Sequence, residues 1–175
     1  MDWLTTPITA VRDFMELGGP VLTVIAVTIF AMWVLIIERL LFFRTGLNKL
    51  AESSIERWQE RADRESWYAR QARDKLLSRF SMAANSGVSV IQTLVALCPL
   101  LGLLGTVTGM ILVFDVMAIS GTGNARSMAA GVSQATIPTM AGMVGALSGV
   151  FLTTMITRMI ERRVEGLEEE LYLDH

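Results

Sequence analysis

Residues 99–110 read PLLGLLGTVTGM, a stretch apolar enough for a membrane helix yet interrupted by Gly102, Gly105, Gly109 and two threonines. Lipid offers no hydrophobic drive between helices, so association depends on close backbone contact, which small side chains permit. Gly102, Thr106 and Gly109 are spaced four then three residues apart and share one helical face, while Gly105 and Gly109 form a GxxxG pair. A second seam follows further along. Ala135, Thr139, Gly142, Ala146 and Gly149 alternate steps of four and three residues. The two seams are suited to face each other or a common partner.

The rest of the chain fits this reading. Hydrophobic residues make up 52% of 175 and the mean hydropathy is +0.48, as in a polytopic membrane protein. Gly18 to Ile37, Phe80 to Phe114 and Ser127 to Thr157 contain no Asp, Glu, Lys or Arg. Each run is long enough to cross about 30 Å of hydrocarbon. The expected fold is all-α, with three transmembrane helices and with helices two and three extended into a cytoplasmic helical bundle. Its parts are an amphipathic segment at the outer interface (1–17), a first span (18–43), a cytoplasmic helical loop (44–87), a second span (88–117), a periplasmic loop (118–127), a third span (128–157) and a cytoplasmic tail (158–175).

Orientation comes from the bases. Nine Lys and Arg residues lie between Arg44 and Arg79, and Arg158, Arg162 and Arg163 follow the last span. The positive-inside rule therefore puts the amino terminus outside and the carboxyl tail in the cytoplasm. Asp2, Asp13 and Glu16 argue against a cleavable signal peptide. Within the loop, Leu47, Leu50, Ile55, Trp58 and Ala62 form one helical stripe and Ala69, Ala72, Leu76 and Phe80 another. Interleaved acids and bases, including i, i+4 pairs such as Arg70 with Asp74, suit a solvated helical face and argue against nucleic acid as a partner. The acidic tail is expected to pack beside this basic loop. The single cysteine, Cys98, reads as packing, and no nucleotide loop, zinc motif or catalytic triad occurs. No cofactor and no enzyme activity are implied.

Two readings remain open for the polar residues in the spans. Thr106 and Thr139 can be small packing residues bonded back to their own helices, or they can form a polar ring near mid-membrane. Pro138 has no N–H and leaves the carbonyl of Gln134 without its helical donor. It is either a simple kink or part of a polar cluster with Gln134, whose amide can equally form an interhelical bond. Glu38 and Arg39 at the end of the first span, like Asp115, suit interfacial anchoring.

The order of GGP (18–20), WVLIIERLLFFR (33–44), PLLGLLGTVTGM (99–110) and GVSQATIPTMAG (131–142) resembles the MotA/TolQ/ExbB proton-channel family, and within it the ExbB branch. The resemblance implies an inner-membrane homopentamer around an ExbD-type single-span partner. That partner supplies an ionisable Asp, and the assembly couples proton flow to a TonB-type protein and outer-membrane transport. By the same resemblance Thr106 and Thr139 are pore threonines and Glu38 is the inner-end acid. Relatives commonly carry glutamate at the position of Gln134 and a small residue at that of Pro138. This departure points to a divergent branch, such as one serving a second TonB system. A TolQ-like motor for outer-membrane integrity and a non-conducting membrane scaffold are the alternatives. The expected path residues are Thr106, Thr139, Gln134 and Glu38; the expected packing residues are Gly102, Gly105, Gly109, Gly142, Gly149 and Pro138.

Overall fold

A computed structural model describes residues 5–60, 66–120 and 125–171, and all regular structure among them is α-helical. The helices are α1 (Thr5–Gln59), α2 (Trp67–Asn85), α3 (Val88–Ser120) and α4 (Ala125–Glu170). Three helical stretches, Gly18–Gln59, Trp67–Ile119 and Met128–Glu170, are long and apolar enough to cross a membrane.

α1 breaks once. Gly19 sits at φ 67° and ψ −168°, a left-handed conformation that glycine adopts without the Cβ penalty. Pro20 follows, with its fixed φ suited to the first turn of a new helix and no N–H to continue the old one. Beyond this break α1 runs on to Gln59, so the stripe from Leu47 to Trp58 is the continuation of α1 and not a separate loop helix. Periodicity alone gives the stripe but no stop signal before it. Ala62 lies outside the described residues. The second stripe is α2, whose N-cap Ser66 accepts a hydrogen bond from the Ala69 N–H at 3.2 Å. α2 ends where the Ser86 N–H bonds the Met82 carbonyl at 2.9 Å and Gly87 turns left-handed at φ 79°.

The chain forms two compact units. The first combines Met1–Trp33 with Thr93–Val150. Its buried side chains include Leu22, Ile25, Met32, Val95, Cys98, Val113 and Ala146, while Phe30, Met140 and Leu147 stay exposed at 70%, 67% and 67%. Large apolar faces of this kind suit lipid or protein neighbours. The second unit combines Val34–Gln92 with Phe151–His175. It buries Leu47, Trp58, Phe80, Ile160, Leu167 and Leu171. The expected contact of tail with loop is present here, because Arg73 donates to the Leu171 carbonyl at 2.9 Å and pairs with Glu168 at 3.3 Å.

Two glycines give opposite predictions. A Cβ on Gly109 would stand 2.5 Å from Cα of Ala135, where only backbone movement can make room. Gly109→Ala should cost about 1–3 kcal/mol. Gly166 in α4 has nothing within 4 Å of its Cβ position, so Gly166→Ala should stabilise by about 0.5–1 kcal/mol. Thermal unfolding of both variants in detergent should give shifts of opposite sign.

Candidate functional site

The site is the seam between α3 and α4 within the first unit. Its contacts run antiparallel: Val113 with Gly131, Gly109 with Ala135, Gly105 with Pro138, Gly102 with Thr139, Cys98 with Gly142 and Val95 with Gly149. A Cβ on Gly142 would lie 2.5 Å from the Cys98 carbonyl oxygen, and one on Gly102 would lie 3.0 Å from Cα of Thr139. Glycine at these positions lets backbone meet backbone. The buried line on α3 passes through Gly102, Gly105 and Gly109, with the half-buried Thr106 at its edge. All five small residues of the α4 seam are buried or half-buried. Pro138 is fully buried, with its ring against Gly105.

The two threonines take different partners. Thr139 Oγ1 donates across the seam to the Gly102 carbonyl at 3.0 Å. Thr106 Oγ1 donates within its own helix to the Leu103 carbonyl at 2.7 Å, and Thr108 does the same toward Leu104 and Gly105 at 3.1 and 3.0 Å. Each hydroxyl keeps acceptor capacity after donating its proton. The Gln134 amide lies against Gly19 of α1. Glu38 belongs to the second unit, where its side chain is exposed. The structure thus gathers Gly102, Gly105, Pro138 and Thr139 at one place, and the contact it gives Gln134 is with Gly19.

Arg39 has a function that its position at a span end did not reveal. Its Nη2 donates to the carbonyls of Ala83 and Ala84 at 2.9 and 3.2 Å, in the last turn of α2, where carbonyls lack helical donors. The guanidinium also lies 5.0 Å from the Phe42 ring centroid, within range of a cation–π contact. Ser86–Gly87 was the available signal: a helix ended there needs a cap, although nothing in the sequence says that the cap comes from 44 residues upstream.

These features define a helical membrane protein whose spans join through small residues and an interhelical hydroxyl bond. The chain belongs to the MotA/TolQ/ExbB proton channel family, which matches residues 38–169. Two relatives from Synechocystis sp. carry names of biopolymer transport proteins. The ExbB-like 1 protein is 37% identical over 82 residues, covering 45% of this chain and 32% of its own length. The ExbB-like 3 protein is 31% identical over 104 residues, covering 58% and 46%. The chain therefore spans 32% and 46% of the length of these relatives.

Removing the seam hydroxyl should loosen α3 from α4. Thr139→Val is expected to cost about 0.6–2 kcal/mol, the range for interhelical hydrogen bonds in membranes, and Thr139→Ser to cost less. The unfolding midpoints of the two variants in detergent, compared with that of the unsubstituted protein, check both.

Proposed function

We propose that this chain is an ExbB-like subunit of a proton-driven motor in the bacterial inner membrane. In this reading it forms a homopentamer with its amino terminus in the periplasm and its carboxyl terminus in the cytoplasm. The pentamer encloses an ExbD-type span, and a TonB-type protein carries the resulting force to outer-membrane transport. Family membership supports the proton-channel part. The observation that carries the mechanism is chemical: the α3–α4 seam holds hydroxyls, backbone carbonyls and the Cys98 thiol but no carboxyl, imidazole or basic side chain. Efficient proton relay across a dry region calls for an ionisable group, so the partner supplies it.

Thr106 and Thr139 then act by holding water or the partner's carboxyl as it changes protonation. Neither titrates. Thr106, half-exposed at the edge of the seam, can accept such a bond through its oxygen while its own O–H goes on donating to the Leu103 carbonyl. Glu38, exposed at the end of the first span, would stand at the inner exit. One charge crossing the membrane supplies about 2.3 kcal/mol per 100 mV, and it is coupled to motion only where the partner's acid meets the hydroxyls.

A packing-only scaffold is the second reading. It is favoured by one observation, that both hydroxyls are already bonded to carbonyls of the same protomer. Energised uptake and partner co-purification, measured together, separate the two. Thr106→Val and Thr139→Val are each expected to abolish uptake while the partner still co-purifies, with Gln134→Ala milder. Normal uptake by both threonine variants would leave the scaffold reading standing.

A further inference from the structure

Phe14 and Met15 precede the break of α1 at Gly19, and Leu22, Ile25, Ala26, Phe30 and Trp33 follow it, yet all line one groove of about 400 Å³ within the first unit. Ala141 of α4 completes it. A straight helix presents a convex face, whereas a broken one can stand around a hollow. Leu22 and Ile25 are buried and form the floor; Phe14, Phe30 and Trp33 are exposed at 44%, 70% and 40% and form the rim. Ala26 and Ala141 leave open the space that two leucines would fill.

The size and chemistry of the groove select its occupant. Its lining carries no charge, and its volume lies within the range of about 300–1,000 Å³ that takes whole small molecules. At about 1.5 Å per residue the stretch from Leu22 to Trp33 is about 16 Å long, close to half of the roughly 30 Å of hydrocarbon in a bilayer. That is the depth of one leaflet, and hence of one acyl chain. A helix of a second copy does not suit the groove. Helices in lipid join by close backbone contact, as α3 and α4 do at Gly102 and Gly142, and here three aromatic side chains stand between a neighbouring backbone and the floor. A flexible chain can pass between them.

Charge completes the match. Arg12 lies three residues before Met15 and therefore beside it on the helix surface, at the amino-terminal end of the groove. Its exposed guanidinium pairs through Nε with Glu16 at 3.0 Å, and it carries further N–H donors in a fork that suits a phosphate. We propose that the groove holds one acyl chain of a phospholipid from the leaflet on the amino-terminal side, with the lipid phosphate at Arg12. The inference does not rest on the proton-motor reading.

The test is a map of lipid adducts on the full chain in liposomes. Phosphatidylglycerol with a photoreactive diazirine on its acyl chain is added at low mole fraction to unlabelled lipid, and the modified peptides are identified after illumination. Val144 and Leu147 serve as the reference face, because at 68% and 67% they are as open to lipid as Phe30. Adducts on the unsubstituted protein should concentrate on residues 14–33 and Ala141 over that face. Ala26→Leu combined with Ala141→Leu should abolish the excess while the oligomer keeps its mass on a native gel. Arg12→Gln should lower the groove adduct about fivefold, the weight of one cation beside an anionic lipid. Labelling of the unsubstituted groove no stronger than that of the reference face overturns the proposal. So does an excess that survives the double leucine variant or Arg12→Gln. A double leucine variant that changes the oligomer and leaves the lipid adduct in place would assign the groove to a second copy instead.

Discussion

The approach of two backbones at Gly102 and Gly142 governs the first unit. No side chain fits between the Cys98 carbonyl and α4 at Gly142, and this closeness brings Thr139 within 3.0 Å of the Gly102 carbonyl. It also allows the Pro138 ring to fill the face of Gly105. In lipid, where large apolar side chains gain nothing by leaving one hydrocarbon for another, attraction comes from contact and from polar bonds that contact makes possible. Remove the glycines and both are lost together.

The second unit is solved by different means. It buries Trp58, Phe80, Leu167 and Leu171, large side chains whose removal from water stabilises by about 1.5–3 kcal/mol each. Its polar contacts use charge: Arg73 holds the carboxyl end of α4 and Arg39 holds that of α2. Both arginines bind backbone carbonyls at helix ends, where a cation also complements the helix dipole. The charge distribution of the sequence is thus a map of which packing chemistry each segment uses.

That map was readable, and the single contacts were not. The three long charge-free runs each overlap one of the three apolar helical stretches, and the small-residue spacing from Ala135 to Gly149 lies on the face of α4 that meets α3. On α3 the spacing admitted two lines, one through Thr106 and one through Gly105, and the contact with Pro138 selects the second. Hydrophobic periodicity could not show that the stripe after Leu47 continues α1, because a helix leaving a span keeps the same period. Arg39 and Gln134 escaped for another reason. Each meets a segment distant in sequence, Arg39 at Ala83 and Gln134 at Gly19, and local pattern carries no information about such pairs.

The tightness of the seam also constrains where protons can travel. A water molecule needs room and two or more polar partners. Between α3 and α4 even a methyl group has no room at Gly109 or Gly142, and it would be tight at Gly102. A hydrated file cannot run inside this contact unless the helices part, and parting them would break the Thr139 bond and the glycine contacts at once. If protons cross along this chain, they do so on an outer face. Thr106 lies at the edge of such a face, next to the exposed Leu103 and Val107. An open apolar face with one hydroxyl is no channel by itself; it becomes one only when other helices enclose it and hold an ionisable group opposite the threonine.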